Sequence, residues 1–534
     1  MTSKLSIWSA AAMSVAATAC LSCGQPAFGQ DEADTRLGNV HFATSCNETA
    51  QRRFDRAMRY QHSFWYRESK EIFEEAIKAD PDCGIAYWGV ALSLLNNPHN
   101  PPPAPNLPLG LAAIQKAKAV GAKTDRERDF IDALSVFYTD YDKVPHGARV
   151  QLYLKAMEGV AQRNPADDEA QLFYAITLNV GASPSDKTYS NQLKGAAILE
   201  QIFKRQPRHP GVAHYLIHLY DSPALAEKGI DAAKRYAEIA PAAPHAQHMP
   251  SHIFTRVGYW NESIGSNIAS ARAAKDGKDF GEQLHASDYL VYAYLQLGQD
   301  AKARKVIDDM NTVTGVSPDV LPGNYSLAAS PARFMVERGD WKGAADLQVP
   351  ATKFLQVQAL THFARALGAA RSGNPDAAKA DIAKLAELRD KLREAKDAYW
   401  TEQVDIQRQV AAAFLLEAEG KHDDALKALS AAADAEDKTE KSPVTPGTPQ
   451  PARELYGIML LERGMAREAL AAFEATIKKE PNRFNAIAGA AKAAERLGDQ
   501  AKAKDYYQKL TTLAGNADTV RPDLAAARAF LAKN

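Results

Sequence analysis

AQRRFDRAMRYQHSFWYRESKEIFEEAIKADP, residues 50–81, sets small residues at Ala57, Ser69 and Ala76 among the aromatics Tyr60 and Phe73 and closes on Pro81. The same signature returns near the C-terminus, where Gly464, Ala469, Phe473 and Pro481 are followed 34 residues later by Gly498, Ala503 and Tyr507. Further glycines with a small residue five positions on stand at Gly258, Gly298, Gly339, Gly373 and Gly420, at intervals of 34 to 47 residues. Self-similarity at such a period marks a stack of supersecondary units, each with an apolar edge that only the next unit covers. A chain of 534 residues is too long for one hydrophobic core, and its prolines and glycines are scattered rather than gathered at one linker. Both facts agree with an extended array.

These positions resemble the tetratricopeptide repeat, a 34-residue helix-turn-helix unit. The resemblance covers most of residues 50–515 and implies an all-α fold: a right-handed α-solenoid of helical hairpins, with several repeats degenerate or carrying insertions. In that family the matched positions are packing positions, where small residues let two antiparallel helices approach and an aromatic fills the gap. NNPHNPPPAPNLPLG, residues 96–110, is too rich in proline to be helical and is expected as a loop at a hairpin tip. AEDKTEKSPVTPGTPQP, residues 435–451, reads as a linker. The expected division is a signal peptide at 1–29, a solenoid at 30–434, the linker at 435–451 and a C-terminal repeat pair at 452–534.

Lys4 precedes the apolar run LSIWSAAAMSVAATACL, and Ala27-Phe28-Gly29 offers small residues at alternate positions, the pattern of a signal peptide cleaved after Gly29. The expected localisation is therefore periplasmic or secreted. Neither Cys20 nor Cys23 has a leucine three residues upstream, which argues against a lipoprotein, and no later run is long and apolar enough to span a membrane. Export would leave Cys46 and Cys83, a pair that an oxidising compartment favours as a disulfide worth about 3 to 4 kcal/mol by loop closure. Formal charge is −1, from 64 basic and 65 acidic residues. No lysine or arginine run is long enough to organise phosphates, so nucleic acid is not an expected partner.

Six of the thirteen histidines fall in HYLIHLYD, PHAQHMPSHIF and HASDYL, between His214 and His285. Helical residues four apart stand one above the other, so His214 with His218, and His248 with His252, form two-imidazole pincers, the first extended by Asp221. Such pairs suit a transition metal: zinc is the expected ion, with copper, iron and manganese open. In the repeat family, positions 2, 5, 9, 12 and 13 of each first helix face the concave groove. On that pattern His214, His218 and Asp221 fall at 5, 9 and 12. His245, His248 and His252 take 2, 5 and 9, with Thr255 and Arg256 at 12 and 13, and His285 and Asp288 take 2 and 5. Pro250 interrupts the second pincer unless it lies in a first helical turn; if the helix begins near Met249, His248 becomes a cap or loop ligand.

Two functions fit this pattern. One is a scaffold that holds a peptide or protein partner in its groove and binds metal there. The other is a metal-dependent hydrolase in which Asp221 or Asp288 is the base and Arg256 stabilises an oxyanion. Capture of a peptide carboxylate or other anion by histidine, Thr255 and Arg256 is a further possibility. His62 reads as structural, His99, His146, His209 and His422 as loop or surface residues, and His362 as a border of the groove. The mature chain has no GxSxG elbow, phosphate-cradling glycine loop, haem-attachment CxxCH or HExxH helix.

Overall fold

The computed structural model describes residues 36–533, and every regular element among them is a helix. The signal peptide expected at 1–29 lies outside the described residues. The first hairpin pairs Glu48–His62 with Tyr66–Ala79. Asn47 opens it by accepting from the amide of Ala50 at 2.9 Å, one of the donors a helix start leaves without a partner. Ser69 ties the two helices together, its hydroxyl donating to Ala57 O at 3.1 Å. Phe73 then fills the space over Gly89 in the next helix, where a Cβ would stand 2.4 Å from the ring. Phe473 repeats this at the other end of the chain, with Gly457 and Gly489 against it. A side chain at these glycines would push hairpins apart, an overpacking cost of about 1 to 3 kcal/mol.

The turn glycines behave as the spacing expects. All seven, from Gly258 to Gly498, have φ between 65° and 82°, the left-handed region that ends a helix cheaply only without a Cβ. The residues five positions later, Ser263, Ala303, Ala344, Ala378, Ala425, Ala469 and Ala503, are fully buried. Cys46 and Cys83 are bonded, with Cα atoms 5.1 Å apart, and clamp the leading segment to the start of helix Gly84–Leu94.

Two segments differ from expectation. In the proline-rich insertion, coil ends at Pro105 and helix Asn106–Val120 begins, because Pro108 sits in a first turn where its missing N–H costs no hydrogen bond. The coil before it does not hang at a tip; it folds inward against the central histidines. The stretch read as a linker is likewise no exposed tether. Residues 435–437 finish helix His422–Asp437, and the chain from 439 to 451 runs through the interior, with Val444, Thr445 and Gln450 buried. Arg333 donates to Thr448 O at 2.7 Å, Tyr289 to Thr445 O at 3.2 Å and Lys187 to Thr439 O at 3.0 Å. This strap exchanges hydrogen bonds with elements up to 250 residues away because its carbonyls need partners once buried. The last repeats also dock back: Trp260 donates to Asn482 O at 2.8 Å, and Phe484 N to Gln296 Oε1 at 3.0 Å.

Candidate metal centre

Three helical stretches carry the central histidines: Pro210–Tyr220, the pair Pro244–His248 and Pro250–Val257, and Phe280–Gln296. Pro210 and Pro244 open their helices at positions where no amide is needed. Pro250 does not break the second pincer. Met249 keeps helical angles (φ −52°, ψ −36°), its amide bonds His245 O at 2.9 Å, and Pro250 becomes the first residue of the next helix. His248 is thus a helix residue, neither cap nor loop, and stays above His252.

The histidines gather into two adjoining trios. His214, His218 and His245 offer nitrogens within 4.8 Å of one another, and so do His248, His252 and His285. Nε2 of His214 lies 3.1 Å from Nε2 of His218, and Nε2 of His248 lies 3.0 Å from Nε2 of His252. The trios touch: ring centres of His218 and His252, and of His245 and His248, are each 5.9 Å apart. All six rings are buried or nearly so.

What surrounds the rings fixes which nitrogen carries the proton. Nδ1 of His214 donates to His62 O at 2.6 Å. Nδ1 of His248 donates to Asn267 Oδ1 at 2.6 Å, an amide oriented by its own donation to Ser263 O at 2.7 Å. Nδ1 of His252 donates to Asp221 Oδ2 at 2.8 Å. Each leaves an Nε2 lone pair directed inward, the arrangement in which an outer acceptor sets the tautomer and orientation of a metal-binding imidazole. His218 is free to hold its proton on Nε2 and donate to His214. In the second pincer both Nδ1 protons are committed, so with both rings neutral two Nε2 lone pairs face each other. Buried Nε2 of His245 and Nδ1 of His285 also lack a hydrogen-bond partner among the described residues.

Charge is arranged around, not within, the trios. Burial, reinforced by neighbouring imidazoles, holds His214, His218 and His248 well below the usual histidine range, and burial pushes His285 down to about 3. Asp221 is buried, which opposes its ionisation, yet Lys441, Arg256 and His252 hold its carboxyl below the ordinary carboxylate range. Arg256 Nε donates to it at 2.8 Å and Lys441 Nζ at 3.1 Å. Asp221 is therefore an orienting partner of His252, not one of the clustered donors. Arg256 is locked into that ion pair. Asp288 accepts from Ser330 Oγ at 2.9 Å and pairs with Arg333 at 3.4 Å, both fully buried, so it faces that arginine.

Several histidines read as peripheral are not. His99 is a loop residue, but its ring centre lies 4.4 Å from that of His218 and burial pushes it down to about 4. His209 is buried and bonds Glu169 at 3.1 Å; His62 bonds the other oxygen of Glu169 at 3.1 Å, so the three form a buried His-Glu-His group. The carbonyl of His62 also orients His214. His146 is part-buried against Phe137, His422 pairs with Glu417, and His362 is held by Asp381 at 2.7 Å. Two residues carried no sequence signal: Tyr289, whose hydroxyl lies 3.4 Å from His252, and Lys441 on the strap.

Residues 485–516 match the family model of the tetratricopeptide repeat. Over those residues the chain carries a tetratricopeptide repeat, and helical hairpins packed through small residues recur along the rest of the described chain. Among solved structures it is similar to a chain of the human IFIT1 dimer with m7Gppp-AAAA, at 11% identity and a TM-score of 0.39, covering 81% of this chain and 90% of that one. It is also similar to a chain of Naa15/Naa10 bound to HypK-THB, at 12% identity and a TM-score of 0.19, covering 91% and 79%. No curated protein matches the sequence. Among the described residues no helix is long and apolar enough to cross a membrane.

Proposed function

We propose that this protein is an exported tetratricopeptide-repeat scaffold that holds transition-metal ions in an all-imidazole centre midway along its solenoid. The supporting observation is the pair of Nε2 atoms of His248 and His252, 3.0 Å apart with both Nδ1 nitrogens committed as donors. Facing lone pairs repel, and a cation between them turns that repulsion into two bonds. Nitrogen-only donors suit zinc, and equally copper or iron, better than a hard cation. A repeat solenoid ordinarily serves protein partners. Here the coil at 96–105 and the strap at 439–451 cover the inner side around the histidines, so a peptide seated there would displace one of them.

Hydrolysis at the same ions would require Asp221 or Asp288 to leave its ion pairs to act as base, which favours the scaffold reading. Elemental analysis of untagged protein purified from its native compartment tests the proposal. About one or two ions per chain are expected, and one fewer in the double variant His248→Ala/His252→Ala, which leaves His214, His218 and His245 in place. Metal-free wild-type protein that takes up no zinc, copper or iron on dialysis would overturn it.

A further inference from the structure

The seventh histidine of the cluster makes the two trios unequal. His99 sits on the coil between helices Gly84–Leu94 and Asn106–Val120, far in sequence from every other residue of the centre. Its amide bonds Asn97 Oδ1 at 3.0 Å, and Asn100 N bonds Asn97 O at 3.0 Å, so the coil presents the ring on a tight turn. The ring lies 4.4 Å centre to centre from His218, outside the group of three whose nitrogens already lie within 4.8 Å of one another, and its Nε2 is buried with no hydrogen-bond partner among the described residues. A buried imidazole nitrogen without a partner costs about 1 to 3 kcal/mol, which a coordinate bond would remove. On the other side, the trio of His248, His252 and His285 makes no ring contact with His99 among the described residues. Besides the acceptors that hold its Nδ1 nitrogens, it meets the Tyr289 hydroxyl, 3.4 Å from both nitrogens of His252 and already donating to Thr445 O.

Resting on the metal reading above, we infer that His99 is a fourth ligand that joins His214, His218 and His245 around one ion, while the second trio holds its ion through three imidazoles. Four protein ligands make a closed site of the structural kind; three leave a coordination position for water or a small anionic or neutral donor. The first ion would fasten the proline-rich coil over the centre. The second would be the exchangeable one, and the one that a small coordinating ligand reaches.

The test is zinc release from the full mature chain, loaded with zinc and mixed with excess chelator. Wild-type protein should release in two phases, one slow and one fast. His99→Ala lies in coil and should leave helicity unchanged while speeding the slow phase about 10- to 100-fold. His285→Ala should abolish the fast phase and keep the slow one. Cobalt loading adds a readout independent of rate: the intense visible absorption of a four-coordinate nitrogen site should fall in His99→Ala and persist in His285→Ala. If His99→Ala releases both ions at wild-type rates with an unchanged cobalt spectrum, His99 is not a ligand and the inference fails although metal binding stands. Failure of the wild type to bind any ion would remove the metal reading itself, and this inference with it.

Discussion

Two buried polar clusters in this molecule solve the same problem in opposite ways. Around Arg483, which is fully buried, the protein supplies every partner. The guanidinium donates to Glu454 at 2.9 Å and 3.0 Å, to the Tyr292 hydroxyl at 2.6 Å and to Glu337, whose other oxygen accepts from Asn485 at 2.9 Å. Burial, partly offset by Arg483, raises the pKa of Glu337. Around the central histidines the protein supplies only the outer half. Acceptors hold the Nδ1 side of four rings, those of His214, His245, His248 and His252, and the Nε2 atoms of each pincer meet. A satisfied network fixes how the last repeats dock; a half-satisfied one is costly unless something else completes it.

The contrast is broken or sharpened by three experiments. The largest effect is expected for Arg483→Met, which strands Glu337 and Glu454 without their cation. Breaking such a buried pair costs about 3 to 5 kcal/mol, and denaturant unfolding should show the same loss with zinc or with chelator. A loss that appears only with metal present would erase the distinction between the clusters. Next, wild-type protein should gain about 2.7 kcal/mol of stability when zinc is raised to a hundred times its dissociation constant. His248→Ala should gain less from the same addition, because only the site of His214, His218 and His245 is left to bind. An equal gain in both would move the metal elsewhere.

The smallest effect concerns Glu436, an intermediate case in the last turn of helix His422–Asp437 just before the strap, with Lys479 close by. Burial raises its pKa to about 7, above an unfolded value of 4.5. The folded state therefore holds the proton more tightly, and this contribution is complete below the unfolded value and lost as pH rises through 7. Glu436→Gln keeps an acceptor for Ala452 N, which now lies 2.8 Å from the carboxylate. It should stabilise the protein by about 1 to 2 kcal/mol at pH 8 and change little near pH 4, measured by thermal unfolding at both values. Destabilisation at pH 8 would mean that attraction to Lys479 outweighs desolvation.

The hairpins were legible because their requirements are local: a turn without a Cβ, a small residue five positions on, an aromatic over a glycine. The helix-borne histidines were legible for the same reason, since four-residue spacing and repeat phase put them on one face, and Pro250 disturbs that face less than its chemistry suggested. Long-range closure was not legible. His99, Tyr289 and Lys441 reach the centre through a coil, the helix residue beside the expected Asp288, and a strap, none of which has a period to read. Asp221 and Asp288 were chosen as acids by position, but arginines from Pro250–Val257 and Leu321–Arg338 take them into ion pairs. Only the assembled chain shows that these charges are already spent.

Anomalous diffraction from crystals of the zinc-loaded protein tests the central claim most directly. Two peaks are predicted, one bonded to Nε2 of both His248 and His252, the other among His214, His218 and His245. Zinc found only on surface carboxylates, with these rings still in direct contact and nothing between them, would contradict the account.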